Sequence, residues 1–483
     1  MRIELDGPPD PTPPSEAWLD RGWAVQAEDA GRRTEFWYDT PGFALLRWGV
    51  ELVRIDDELW RLCVPAQAGA SVRSVEQRSA LPDPPAGIMD VVRPLVRGWE
   101  LQRVLTMEMT SRTWLLAREG QADSVRLTHE ARRVLDGPGV GRWLGRYLIE
   151  GGDQALCQDV VELVRMPSAS SGSVAVRVLG SAAQAPPDVQ VPALGKRPTA
   201  ADVLGMAVAR DVQELLFRLA GVPLDEDRED VHRARVATRR LRGILRTFAP
   251  LFRSEVVTAL SEELAWLALE LGPVRDADVM ATRLGETTAL LVNDEVAAGD
   301  AVMALLANER ESRWREAMEA LRSPRCVALF DSLVAVAEEP PVTPAASAAG
   351  ARTLTSYTRG HWRRLRRRAR DAASSGSELD LHRTRLAAKR ARYACETAAL
   401  AVGEPAARLG AKVGGLQDVL GGHQDAVVLR DWLRQVARQH PELALGASEL
   451  AGMEAARARD TADGWVAVWR EVDRKRLRRW MRG

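Results

Sequence analysis

The segment Asp230-Val-His-Arg-Ala-Arg-Val-Ala-Thr-Arg-Arg-Leu-Arg242 returns 150 positions later as Asp380-Leu-His-Arg-Thr-Arg-Leu-Ala-Ala-Lys-Arg-Ala-Arg392. A second pair follows each copy: Leu271-Gly-Pro-Val-Arg-Asp276-Ala-Asp278-Val and Leu420-Gly-Gly-His-Gln-Asp425-Ala-Val-Val, offset by 149. Spacing is kept within each half, which scattered basic residues would not do. Self-similarity of this kind limits the fold before any single residue does: the C-terminal part is one unit built twice.

At 3.6 residues per turn, His232, Arg235, Arg239, Arg242 and Arg246 fall inside an arc of about 80°. Ala234, Leu241, Leu245 and Phe248 lie opposite, where an apolar core stripe belongs. Arg233 and Arg240 form a second row on one flank. The other copy repeats this with His382, Arg385, Lys389 and Arg392 in the row and Arg383 and Arg390 on the flank, but Glu396 stands where Arg246 stood. A charged helix face is usually just solvated. Here, however, no acid occurs between Val231 and Arg253, and the like-charge pairs Arg235/Arg239 and Arg242/Arg246 each cost about 0.2–0.5 kcal/mol. An anionic partner is therefore expected. It is either internal, with Asp276, Asp278 and Asp425 reaching across from a neighbouring helix, or a ligand rich in phosphate. The helix opening the second half puts Arg359, Arg363, Arg366 and Arg370 on one face. Arginine binds phosphate oxygens through two parallel hydrogen bonds and stays charged. The row from His232 to Arg246 is about 21 Å long at 1.5 Å per residue, a length suited to a linear polyanion.

The two V/L-H-x-x-R-[VL]-A-x-[RK]-R-x-R helices, each followed by an L-G-x-x-x-D-A segment, resemble the conserved-histidine α-helical domain, CHAD. The likeness runs from about Arg197 to the C-terminus. It implies two four-helix bundles related by pseudo-twofold symmetry, with the basic helices lining a groove for inorganic polyphosphate. The binding positions it implies are His232, Arg235, Arg239 and Arg242 with His382, Arg385, Lys389 and Arg392. The neighbouring Arg233, Arg240, Arg246, Arg363, Arg366, Arg370 and Arg390 join the candidate set, with Asp276, Asp278 and Asp425 as supporting acids. No cofactor is expected.

A chain of 483 residues holds two or three domains. It has 67 basic and 67 acidic side chains, so its net charge is zero and attraction to polyanions must come from local clustering. That argues against a general nucleic-acid binder. So does the scarcity of aromatics that could stack on bases: Trp362 and Tyr393 are the exceptions near the basic helices. The four cysteines, Cys63, Cys157, Cys326 and Cys395, lack paired spacing and read as buried free thiols of a reducing compartment. The histidines show no H-x-x-x-H spacing, and His232 or His382 as a metal ligand with Asp276 or Asp425 is the weaker reading. No signal pattern opens the chain and no run of 18 apolar residues occurs. The expected setting is the cytoplasm, with polyphosphate granules as a place of association and no membrane.

The chain reads as an α+β multidomain protein. Short β-branched or aromatic runs at Thr34–Tyr38, Gly49–Ile55, Trp60–Val64, Leu101–Met109, Thr113–Arg118 and Ser124–Thr128 predict an N-terminal antiparallel domain over 1–185, with Val174–Leu179 as a last strand. A linker at 186–198 follows, then an all-α domain over 199–483. Its halves, about 199–338 and 351–483, are separated by a flexible Pro/Ala stretch at Pro340–Gly350.

The N-terminal part has its own likeness. Phe36-Trp-Tyr-Asp-Thr-Pro-Gly-Phe-Ala-Leu-Leu-Arg-Trp-Gly-Val-Glu-Leu-Val-Arg54 with Trp60-Arg-Leu-Cys-Val-Pro65 is similar to the CYTH, or triphosphate-tunnel, family. This implies an antiparallel β tunnel that acts on triphosphate with Mg²⁺ or Mn²⁺. The family's opening Glu-x-Glu-x-Lys is here Arg2-Ile-Glu4-Leu-Asp6, Cys63 stands where lysine is usual, and His129 stands in for a late-strand acid. Arg47, Arg54 and Arg112 remain as phosphate contacts. A metal site needs several hard carboxylates, so the expectation is a degenerate tunnel and a binding protein. A triphosphatase or short-chain polyphosphatase is the enzyme alternative, and nucleic-acid or ribosome binding by the basic helices is the third.

Overall fold

The computed structural model describes residues 2–8, 18, 22–65, 72–118, 123–151, 153–164, 173–224, 228–291 and 295–482. It forms two compact units, Met1–Asp188 and Val189–Gly483.

The first unit is an eight-stranded antiparallel sheet, a curled half-barrel, in the order β1-β8-β7-β6-β2-β3-β4-β5. The strands are β1 (Arg2–Gly7), β2 (Trp23–Asp39), β3 (Glu51–Ile55), β4 (Leu59–Pro65), β5 (Val72–Arg78), β6 (Gln102–Arg118), β7 (Ser124–Asp136) and β8 (Trp143–Gly151). The stretches read separately at Leu101–Met109 and Thr113–Arg118 are one strand, β6, which pairs with β2 along nearly its whole length. Strand β5 escapes sequence reading because it is a mostly exposed edge with no apolar alternation. The longer helices that accompany the sheet are α1 (Ala86–Val96), α2 (Gln154–Val164) and α3 (Val174–Leu179), with single turns at Ala44–Arg47 and Ser181–Gln184. The expected strand at Val174–Leu179 is thus a helix. The Ser173 hydroxyl caps it by accepting from the Ala175 amide, it ends at Gly180 with φ 78°, and Ala175 and Val178 are buried at helical spacing.

The second unit is helical: α4 (Ala200–Gly221), α5 (Arg228–Thr247), α6 (Ser254–Thr288), α7 (Glu295–Arg322), α8 (Pro324–Glu338), α9 (Gly350–Ser375), α10 (Glu378–Val402), α11 (Glu404–Gln439) and α12 (Ala444–Val472), closed by a 3-10 segment at Lys475–Arg482. Helices α4 to α7 and α9 to α12 start 149 or 150 residues apart, so the duplication covers four helices per half. The Ala200 amide donates to the Ala348 carbonyl and the Gly350 amide to the Pro198 carbonyl, at 2.9 and 3.0 Å. The repeat offset exchanges these two bonds, as a pseudo-twofold axis requires. Pro340–Gly350 is therefore not a free tether. Its backbone also bonds Arg253 and Leu251, and Pro344–Ser347 is a 3-10 turn.

One core lies within the second half, where Trp362, Leu365, Ala369, Leu381, Leu409, Val413 and Trp465 pack together. A second core joins the halves: Met280 and Leu284 of α6 and Val302 and Leu306 of α7 meet Leu429 and Leu433 of α11 and Leu450 of α12. Helices α6 and α11, with 35 and 36 residues, are about 53 Å long, enough for each to serve its own half and the shared core. No helix among the described residues is long and apolar enough to cross a membrane. Cys157, Cys326 and Cys395 are buried free thiols, but Cys63 is only half-buried, because its strand β4 turns that face toward Ser74 of the edge strand. Burial pushes the Cys395 thiol up to about 12.

Candidate functional site

The repeated helices α5 and α10 face each other. A Cβ at Gly243 would stand 3.2 Å from the Tyr393 ring, and these two positions are repeat equivalents, so the pseudo-axis passes between them. Ala234, Leu241, Leu245 and Phe248 are buried as the apolar stripe requires. This packing turns the basic rows toward one another.

Lys389 lies at the centre. Burial, then Arg385 and Arg239, push its ammonium down to about 7; Asp425 opposes them and Arg235 adds to them. The Nε groups of Arg239 and Arg385 are buried and have no hydrogen-bond partner among the described residues. No carboxylate there pairs with Arg239, Arg242 or Arg246.

Two glycines and two aspartates position the outer arginines. The Arg235 Nη1 donates to the Gly272 carbonyl, to the Leu271 carbonyl at 3.3 Å and to Asp276 Oδ1 at 3.3 Å. A side chain at Gly272 would stand 3.5 Å from that guanidinium. In the other half Arg385 lies 4.0 Å from Asp425 and passes 3.9 Å from the Cβ position of Gly421. Gly272 and Gly421, like Asp276 and Asp425, are repeat equivalents. Asp278 does not join them: it is fully buried, 2.7 Å from Arg310 Nε and 3.7 Å from Arg228. Its repeat position is Val427, so it braces one half only. The side chains of Arg235 and Arg385 are only 16% and 19% exposed, so the row is a half-buried groove wall rather than an open face.

The departure of Glu396 from Arg246 has a structural consequence. Arg240 Nε meets Glu396 Oε2 at 3.3 Å. The equivalent contact brings Arg390 to Arg246, two cations, with Arg364 beside them. Glu396 also binds Arg392 at 2.7 Å, and Arg233 pairs with Glu229 at 2.8 Å. Arg233, Arg240 and Arg392 are thus neutralised internally, while Arg242, Arg246 and Arg390 are not. The histidines sit at the margins. Burial and then Arg275 lower the pKa of His232, and the His382 Nδ1 is 2.8 Å from the Gln424 Oε1.

Arg363, Arg366 and Arg370 do not line this groove. On α9 they lie about 100–180° from His361 and Arg364, across the apolar stripe of Trp362, Leu365 and Ala369. His361 and Arg364 are the residues that face Arg390, and with Arg275 they are the members that sequence reasoning missed. Helical angle alone separates the two flanks of α9, but it does not say which one meets α10.

In the half-barrel, charges alternate across one strip. Arg146 Nε binds Glu130 at 2.7 Å and its Nη1 reaches Glu4 at 3.4 Å. Arg132 binds Glu130 and Glu35, each at 2.8 Å, and Arg33 binds Glu35 at 2.9 Å. Burial works against it, but Arg132 and Arg146 hold the Glu130 carboxyl down at about 2. On strand β7 it is Glu130, not His129, whose side chain joins this strip. His129 points to the opposite face, its Nε2 2.9 Å from the Pro8 carbonyl and its ring on Tyr147. Arg47 and Arg54 are held by backbone carbonyls, Pro186 and Asp57, each at 2.7 Å. Arginines pair with Glu4, Glu35 and Glu130, burial raises the pKa of the neighbouring Glu51, and no group of three or more His, Cys, Asp or Glu suited to a metal occurs among the described residues. The strip does not fit such an ion.

Residues 206–434 match the CHAD domain family model. Two uncharacterised proteins of Mycobacterium tuberculosis, from strains CDC 1551 / Oshkosh and ATCC 25618 / H37Rv, are 29% identical over 393 aligned positions, covering 74% of this chain and 74% of theirs. The crystal structure of the CHAD domain from the plant Ricinus communis matches with TM-score 0.50 at 26% identity, over 60% of this chain and 96% of that one. PptA from Streptomyces chartreusis gives TM-score 0.47 at 22% identity, over 56% and 99%. The duplicated helices, the facing basic rows and the matched residues together make the helical unit of this chain similar to the CHAD domain family over residues 206–434.

Proposed function

We propose that the helical unit binds inorganic polyphosphate along the groove between α5 and α10. The observation that carries this is the convergence of Arg235, Arg239, Arg385 and Lys389 with too few acids to balance them, Asp276 and Asp425 among the described residues. Bringing four cations together inside a half-buried wall costs free energy that a polyanion returns. The groove extends past Arg242 to Arg246, Arg390 and Arg364, giving an elongated track rather than a point site. Arginine forks supply paired hydrogen bonds to successive phosphates. The expected contacts are His232, Arg235, Arg239, Arg242, Arg246, His361, Arg364, Arg385, Lys389 and Arg390. The half-barrel is read as a CYTH-like domain without turnover, and the protein as a cytoplasmic one that associates with polyphosphate granules. The test is a competition binding assay on the full chain, with long polyphosphate against RNA of equal charge at fixed salt. Preference for polyphosphate, lost in Arg239→Ser/Arg242→Ser, supports the reading; equal or better RNA binding refutes it.

A further inference from the structure

We propose a second anion site, separate from the groove, that takes a compact ligand of two or three adjacent phosphoryl groups. It is the hollow of about 250 Å³ between the outer flank of α9 and the C-terminal segment Lys475–Arg482. Six arginines line it: Arg359, Arg363, Arg366 and Arg370 from α9, and Arg478 and Arg482 from the tail.

Asp473 braces this cluster. Its carboxylate binds Arg366 at 3.0 Å and also accepts from Arg478, whose guanidinium sits 5.9 Å from the Trp362 ring centroid. The floor is firm: Trp362 is buried and stacked on Trp469 at 5.8 Å, and Met481 is buried beside it. Arg363, Arg370 and Arg482 stand exposed at the rim. Asp473 meets Arg366 and Arg478, and the exposed Arg363, Arg370 and Arg482 add positive charge around the same shaped recess.

The hollow is no part of the duplicated groove. The repeat positions of Arg359, Arg363, Arg366 and Arg370 are Ala209, Gln213, Leu216 and Ala220, without a charge among them. The tail that supplies Arg478 and Arg482 lies beyond the repeated helices. Its size sets the ligand, for it falls below the roughly 300–1,000 Å³ of sites for drug-sized molecules. Each arginine fork takes two phosphate oxygens, so a few forks saturate a triphosphate. Trp362 lies under Arg478 and offers no open ring face, so nothing here recognises a nucleoside. The ligand is the phosphate group itself, from an inorganic oligophosphate or a nucleotide tail.

Calorimetric titration of inorganic triphosphate into the full chain tests this. The variants are Arg363→Ser/Arg482→Ser in the hollow and Arg239→Ser/Arg242→Ser in the groove. The hollow variant should lose about tenfold or more in triphosphate affinity, and the groove variant should stay within about twofold. ATP should bind no tighter than triphosphate if the phosphates alone are read; tighter ATP binding would overturn that assignment. A hollow variant that binds triphosphate like the parent, or loss confined to the groove variant, overturns the site. Arg482→Ser alone, at the chain end, replaces the double variant should that one fail to fold. Long polyphosphate titrated into the same proteins reports the groove reading separately.

Discussion

Replacing Lys389 with Met removes one cation from the centre of the groove and keeps its apolar stem. Lys389 sits at about 7 instead of 10.5, a penalty on the order of 5 kcal/mol at about 1.4 kcal/mol for each tenfold change in proton affinity. Water around the half-buried ammonium screens part of this, and a working figure is about 2 kcal/mol. The sign follows from proton counting. Between pH 7 and 10.5 the unfolded chain holds a proton that folded Lys389 lacks, so this lysine's contribution to stability rises with pH across that window. Below pH 7 the ammonium is charged in both states and the folded protein bears the whole penalty. Lys389→Met should therefore raise the melting temperature of the ligand-free protein by roughly 5 °C at pH 6, and the gain should shrink toward pH 9. Polyphosphate should abolish the advantage, since the anion stabilises the ammonium it meets. Thermal melts at pH 6, 7.5 and 9, with and without polyphosphate, decide the matter. A Met variant less stable at pH 6, or a gain that does not change with pH, would show that Lys389 is an ordinary packed residue.

Further outcomes follow from single contacts. Glu396→Gln releases Arg240 and Arg392, so polyphosphate should bind about threefold to tenfold tighter by calorimetry while the melting temperature falls by a few degrees. Asp278→Asn removes the charge of a fully buried carboxylate that meets Arg310 at 2.7 Å and should cost about 3–5 kcal/mol in chemical denaturation; Asp276→Asn, at the exposed rim, should cost about 1 kcal/mol or less and act on binding instead. With Mg²⁺ or Mn²⁺ the purified chain should release no phosphate from triphosphate above background. Turnover that Glu4→Gln abolishes would make the half-barrel an enzyme.

The duplicated fold was readable because the repeat spacing survives in both copies and α5 and α10 carry clean apolar and basic faces. The roles of Asp276 and Asp425 followed from their equivalence, and Asp278 could have been excluded the same way, since its counterpart is Val427. Three things were not readable. Residues at 174–179 are β-branched yet helical because the Ser173 cap and Gly180 decide locally. Arg363, Arg366 and Arg370 share a face, but only the tertiary arrangement says that this face meets the tail and that His361 and Arg364 meet α10. The neutralisation of Arg240 by Glu396 comes from a contact between helices more than 150 residues apart, which periodicity along one helix does not reveal.

The most direct test is the salt dependence of long-polyphosphate binding by the full chain and by Arg239→Ser/Arg242→Ser. Single-stranded nucleic acid loses about 0.7 in log–log slope per neutralised phosphate. A groove holding about six phosphates on that scale gives a slope near −4 for the parent. The variant should fall to about −2.8, with weaker binding throughout. A slope near zero for the parent, or identical slopes for the two proteins, would contradict binding in this groove.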